Sequence, residues 1–201
     1  MPRERFVFEG FILGLGSTSG VRLAVGIWAR SPFGAFVDVM AERPDGHRIL
    51  LAPTEQIGEF VAHAYTFDEI RVESVRVART EATVTVVATD ARFTATVARR
   101  TALGQLLSVV PQKVAGNSLF AAGINPVARR VMPGVQTYGE GSDGSRKWYS
   151  ALDEHRVTAL AGRFDGVDLG ELAPVLPPVR FGFGSVPTQP SLVRLLSTVE
   201  R

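Results

Sequence analysis

The sequence predicts an α+β fold: a curved, largely antiparallel β-sheet, barrel- or cone-like, with two or three short helices. Three observations predict it. Apolar and polar residues alternate with period two along most of the chain, the pattern of strands buried on one face. Twenty glycines and 12 prolines interrupt that pattern at short intervals. Two stretches carry the i, i+3, i+4, i+7 apolar spacing of a helix.

In chain order, residues 6–13 alternate, with Phe6, Phe8 and Ile12 against Glu9. Residues 14–20, Gly14-Leu15-Gly16-Ser17-Thr18-Ser19-Gly20, look like a phosphate loop. Such a loop needs a helix behind it, and a strand follows here, so a hairpin turn is expected. That strand is 21–30: Val21, Leu23, Val25 and Ile27 share a face, and Arg22 and Arg30 point away. Residues 34–41 and 47–51 flank the turn Arg43-Pro44-Asp45-Gly46, a hairpin signal. Thr54 caps a helix, Glu55 suits its first turn, and Ile57, Phe60, Val61 and Ala64 form its stripe. Strands at 69–79, 82–89 and 91–99 have very short junctions, which predicts an antiparallel meander.

Residues 101–110 give a second helix, with Leu103, Leu106, Leu107 and Val110 on one face and Pro111 as its stop. Residues 111–135 are irregular, with a helical turn after Asn117. Strands at 136–140 and 147–164 enclose the loop Gly141-Ser142-Asp143-Gly144. A helix capped by Ser150 and ended at Gly162 is the alternative for the second of these. Residues 174–190 form a Pro/Gly-rich link to a last strand at 191–200. Residues 1–201 read as one β-rich domain without repeats, long enough to bury a core unaided.

Composition narrows the function. Net charge is +2, and arginines (20, against two lysines) are interspersed with acids. Nucleic-acid binding is not expected. The absence of cysteine removes disulfides, thiolate catalysis and cysteine metal sites. No apolar run approaches the ~18 residues of a membrane span, and the N-terminus lacks the pattern of a signal peptide. A soluble cytoplasmic protein with no membrane partner is the expectation.

His47, His63 and His155 are not paired at ligand spacing, so no metal site and no cofactor is expected. Asp165 and Asp168 sit in a turn sequence without the ligand count of a calcium loop. Ser118 and Ser185 are loop serines with no adjacent base, and no nucleophile elbow is present. Lys113 is a Schiff-base amine if buried, and a solvated loop lysine otherwise.

The stretch from Ser145 to His155 is the richest in chemistry. On a strand, Tyr149, Asp153 and His155 share a face, and Asp153 would orient the His155 ring. Trp148 and Leu152 take the other face. A core role already explains Trp148, since its burial contributes about 2–3 kcal/mol. The expected ligand-binding residues are Tyr149, His155 and Trp148, with Arg48 or Lys113 as an anion partner.

Three segments carry a family resemblance. Ser31-Pro32-Phe33-Gly34-Ala35-Phe36-Val37-Asp38 resembles the Ser-Pro-x-Gly-Pro-Tyr-x-Glu segment of the acetoacetate decarboxylase-like superfamily. The meander from Asp68 to Val97 resembles that family's central strands. Leu172-Ala173-Pro174-Val175-Leu176-Pro177-Pro178-Val179 sits where the family has a Leu-Pro-Val. The resemblance spans about residues 20–185 and implies a cone-like sheet around a small pocket. The family's decarboxylases place paired lysines just before the meander, one of them forming a Schiff base. Here that stretch is His63-Ala64-Tyr65-Thr66-Phe67, so that route is closed from that position. The expectation is a protein that binds a small apolar or acidic organic molecule in a sheet-lined pocket, without Schiff-base decarboxylation. An enzyme with His155 as general base, a lipocalin-like carrier and a homodimer joined through its strands are the alternatives.

Overall fold

The computed structural model describes residues 4–109, 138–140, 146–182 and 186–200. Thirteen strands among them form one sheet. The order along its main path is β5-β4-β3-β2-β1-β13-β10-β8-β7-β6. Strands β1 (Arg5–Ser17), β2 (Arg22–Arg30), β3 (Phe36–Glu42) and β4 (Arg48–Ala52) follow one another as antiparallel hairpins. Helix α1 (Glu55–Ala64) starts at Thr54, whose side chain accepts from Ile57 N at 3.3 Å. It carries the chain across to β5 (Glu69–Val72), which lies parallel to β4, as a helical crossover allows.

The segment expected as a single strand at 69–79 is two strands. β5 ends at Val72, and β6 (Arg76–Arg79) lies at the opposite end of the strand order. Three residues, 73–75, join those two ends, a span of at most about 14 Å. The sheet therefore curls until its edges approach. Burial explains the break, because Val75 is buried while its neighbours in sequence are not. β7 (Thr83–Val87) and β8 (Ala91–Arg100) complete an antiparallel run with β6.

β10 (Arg146–Phe164) is a 19-residue strand, which removes the helical alternative. Its first half pairs with β13 (Ser191–Glu200) and its second half with β8. Short strands β9 (Tyr138–Glu140), β11 (Val167–Asp168) and β12 (Leu172–Ala173) pair at the margins. Helix α2 (Ala102–Ser108) stops sooner than its apolar stripe suggested. Leu106 is exposed, so it does not share the face of Leu103 and Leu107. The expected features within 111–135 lie outside the described residues.

Curling creates two apolar layers. On one face, Leu13, Leu23 and Val39 meet Val86, Phe93 and Leu160 from the far half of the sheet in a single core. The other face, built from alternate residues of β1, β2, β3, β13 and β10, is covered by α1, α2, parts of 175–181, and Val186 and Pro187. Gly14 and Gly16 permit that cover. A Cβ on Gly14 would strike Val186, and one on Gly16 would strike the Pro174 carbonyl. Residues 14–20 are accordingly the end of β1 and a turn, as expected.

Candidate functional site

The covered face encloses a cavity of about 200 Å³. Its walls are mainly apolar, with Phe36, Met40, Val61, Phe181 and Leu195 among them. Among the described residues, seven lining side chains bring nitrogen or oxygen atoms: Trp28, Asp38, Tyr65, Lys147, Tyr149, Glu154 and Ser197.

Strand alternation turns Lys147, Tyr149 and Ala151 of β10 toward this cavity. Lys147 is 1% exposed. Its Nζ donates to the Ala64 carbonyl at the end of α1, at 2.9 Å, and lies 5.4 Å from the centre of the Tyr65 ring. Helix α1 thus docks on the lysine through a carbonyl that its own helix leaves unpaired. An ammonium over an aromatic face in a desolvated site is an attractive arrangement.

The Tyr65 hydroxyl hydrogen-bonds the Tyr149 hydroxyl. Tyr149 also bonds Ser197, its partner across the β10–β13 ladder. Burial pushes the Tyr65 hydroxyl well above the ordinary tyrosine value and raises Tyr149 as well. Both therefore stay protonated at neutral pH and can donate. Lys147 and the two hydroxyls together make a polar pole in a mainly apolar lining.

Asp38 on β3 is 1% exposed. Its Oδ1 accepts from Trp28 Nε1 at 2.8 Å, and its Oδ2 has no hydrogen-bond partner among the described residues. Desolvation raises its carboxyl to about 7, with the Trp28 bond opposing. Gly26, paired with Asp38 in the ladder, makes room, since a Cβ there would overlap both Asp38 and Trp28. Asp38 also acts through its charge on both tyrosines. A buried carboxyl with a strongly raised value beside other titratable groups is a common mark of a functional site.

A bulge between Ala151 and Asp153 shifts the alternation of β10. After it, Glu154 rather than Asp153 faces the cavity. Thr101, the cap of α2, donates its hydroxyl to Glu154 Oε2 at 2.6 Å and its backbone N–H to Glu154 O at 3.0 Å. Gly104 lets the helix lie this close, because a Cβ there would meet the Glu154 carbonyl. Leu103 and Leu107 of α2 then reach the cavity.

The expected site residues separate. Tyr149 lines the cavity. Trp148 points to the opposite face, 3% exposed, with the Arg5 guanidinium 5.1 Å from its ring centre. His155 and Asp153 stand together outside the cavity lining, with His155 Nε2 3.4 Å from Asp153 Oδ2. Asp153 is engaged by Arg100 at 2.8 Å. The expected shared face of Tyr149 with Asp153 and His155 is corrected by the bulge, which period-two reading does not include. Arg48 is likewise outside the cavity lining. It is held by Asp68 at 2.8 Å, and that contact keeps the Asp68 carboxyl far below the usual range. Lys113 and Ser185 lie outside the described residues.

His63 is exposed, with Nδ1 2.7 Å from the Glu59 carbonyl, and His47 meets Glu69 at 3.2 Å. Among the described residues no group of three metal-ligating side chains occurs, and no helix is long and apolar enough to cross a membrane. Lys147, Asp38, Tyr65 and Glu154 were not singled out from the sequence as binding residues. Lys147 had one signal, being one of only two lysines. Asp38 had another, an acid between Val37 and Val39 in an apolar strand.

Comparison with known proteins gives a faint likeness. No family model matches the chain, and no curated protein matches it. Among solved structures, an acetoacetate decarboxylase aligns with 98% of this chain and 87% of its own, at 9% identity and a TM-score of 0.46. The acetoacetate decarboxylase of Legionella pneumophila subsp. pneumophila str. Philadelphia 1 aligns with 98% of this chain and 85% of its own, at 8% identity and a TM-score of 0.43. The relationship to these folds is faint.

Proposed function

We propose that the protein binds a small, mainly apolar organic molecule bearing one carbonyl or carboxylate group, in the cavity between the sheet and its two helices. One observation carries the reading: Lys147, 1% exposed, lies against the ring of Tyr65, whose hydroxyl bonds Tyr149, in a lining that is mainly apolar. An ammonium and phenolic hydroxyls favour an oxygen acceptor, and the apolar walls favour a hydrocarbon body. Few polar groups in a concave apolar site are the usual anatomy of a small-molecule pocket.

Calorimetric titration with octanoate and 2-octanone tests it. Wild-type protein binds at least one of the two. Lys147→Met weakens octanoate, and Ala151→Trp, which fills the cavity, weakens both. Binding that is unchanged in both variants would show that the ligand sits elsewhere.

A second reading rests on the same lysine. A buried amine that has lost its proton is a competent nucleophile toward a carbonyl carbon. Lys147 Nζ would then add to the ketone carbon and, with loss of the carbonyl oxygen as water, leave an imine. Borohydride treatment in the presence of 2-octanone, followed by peptide mass spectrometry, tests it through a reduced adduct on Lys147. Decarboxylation by the paired-lysine route belongs to neither reading, because residues 63–67 hold no lysine.

A further inference from the structure

Glu42 is fully buried at the end of β3 and does not line the cavity. Its ladder partner is Arg22 of β2, also buried, with Arg22 Nη2 3.2 Å from Glu42 Oε1. Both reach toward the segment that crosses the sheet. Arg22 Nη1 donates to the Pro177 carbonyl at 3.0 Å. Glu42 Oε2 accepts from the Arg180 backbone N–H at 2.7 Å, and Oε1 from Arg180 Nε at 3.2 Å.

The contacts continue from there into the cavity. Phe181, next in the chain, is a cavity wall, and its carbonyl accepts from Thr66 N at 2.6 Å. Gly182 forms an antiparallel bridge with Tyr65. The Tyr65 N–H is bound in turn by the Val61 carbonyl of α1. The Tyr65 backbone is therefore clamped between helix and crossing segment, and its hydroxyl meets Tyr149 at the polar pole.

We infer that Glu42, acting with Arg22 and Arg180, is a positioning residue that fixes the cavity wall at 177–182 and the Tyr65 hydroxyl, and thereby sets the length of ligand the cavity accepts. The ligand part of this rests on the cavity being the binding site. A buried ion pair such as Arg22–Glu42 is weak evidence for stability, because well-packed apolar side chains often serve as well. The cluster does something apolar side chains cannot: it satisfies one backbone N–H and one carbonyl of the crossing segment, which fixes that segment's register.

The test uses Glu42→Gln and the apolar double variant Arg22→Met with Glu42→Met. The chain has three tyrosines, so labelling the ζ carbon with carbon-13 gives three resonances, assigned by single Tyr→Phe variants. In folded Glu42→Gln and in the double variant, the Tyr65 and Tyr149 resonances shift or broaden, and Tyr138 stays in place. This readout needs no ligand, so it stands even if octanoate does not bind. Titration with hexanoate, octanoate and decanoate supplies the second readout. Both variants bind the favoured chain length about tenfold more weakly and discriminate less between lengths. If both variants melt at lower temperature but keep all three tyrosine resonances, the cluster is structural only and the inference fails. If the resonances move while the chain-length preference of a binding protein is unchanged, Glu42 does not select the ligand.

Discussion

Trp28 Nε1 donates to Asp38 Oδ1 at 2.8 Å, across a gap that exists because residue 26 is glycine. Three residues on two neighbouring strands thus create one buried carboxyl beside the cavity. Its energetics are unfavourable to the charged form, because burial removes water and the Trp28 N–H and its own backbone N–H replace it only in part. That cost is expressed as a carboxyl raised to about 7 from 3.8.

Stability should accordingly depend on Asp38 between those two values. The folded state holds the proton more tightly than the unfolded chain. The contribution is fully present below about pH 4 and is lost as pH rises through 7. Its full size is on the order of 4 kcal/mol. Asp38→Asn removes the titration and keeps an oxygen for Trp28. The variant should melt higher than wild type at pH 8 and close to it at pH 4. Thermal melts across that range check this, and a parallel pH dependence in both proteins would contradict it.

Gly26→Ala should destabilise by about 1–3 kcal/mol, the usual cost of overpacking a tight interior. A Cβ at this position meets both partners of the Trp28–Asp38 bond. The emission of Trp28 should change with it, measured in a Trp148→Phe background. An alanine variant with wild-type melting and emission would show that the gap is not filled as described.

Removing either hydroxyl of the tyrosine pair should weaken octanoate. Tyr149→Phe costs about 0.5–1.5 kcal/mol of binding, the net worth of one hydrogen bond. Tyr65→Phe should act in the same direction, since the two hydroxyls are bonded to each other. Calorimetry on both variants checks this. Affinity unchanged in both would remove the hydroxyls from the site.

His155→Ala should leave ligand affinity unaltered. The ring is outside the cavity lining and a third exposed, against Asp153. Its stability effect should stay within about 0.5 kcal/mol, as for most surface changes. Tenfold weaker octanoate binding in this variant would restore His155 to the site.

The legible and illegible parts of the molecule divide along physical lines. Strands β2, β3 and β4 and helix α1 were readable because their alternation, turn residues and cap act locally. The parting of β5 from β6 was not, because it depends on which edge of a curled sheet each strand joins. The same limit governs the site. Tyr149 was legible as a polar residue on a strand face. Its partner Tyr65 is 84 positions away in sequence, and only the docking of α1 brings them together. Asp153 and His155 leave the face of Tyr149 because the extra residue at the Ala151–Asp153 bulge reverses the side chains that directly follow it. The burial of Lys147 depends on α1 covering β10, which its neighbours in sequence do not reveal.

The central claim is that the cavity beside Lys147 is the ligand site. The most direct test is the amide proton–nitrogen spectrum of labelled protein, recorded as octanoate is added to saturation. The claim predicts shifts concentrated at Gly26, Ala151, Leu195 and Ser197, and their loss in Lys147→Met. Shifts centred instead on Arg100, Asp153 and His155, or a spectrum unchanged by both octanoate and 2-octanone, would contradict it.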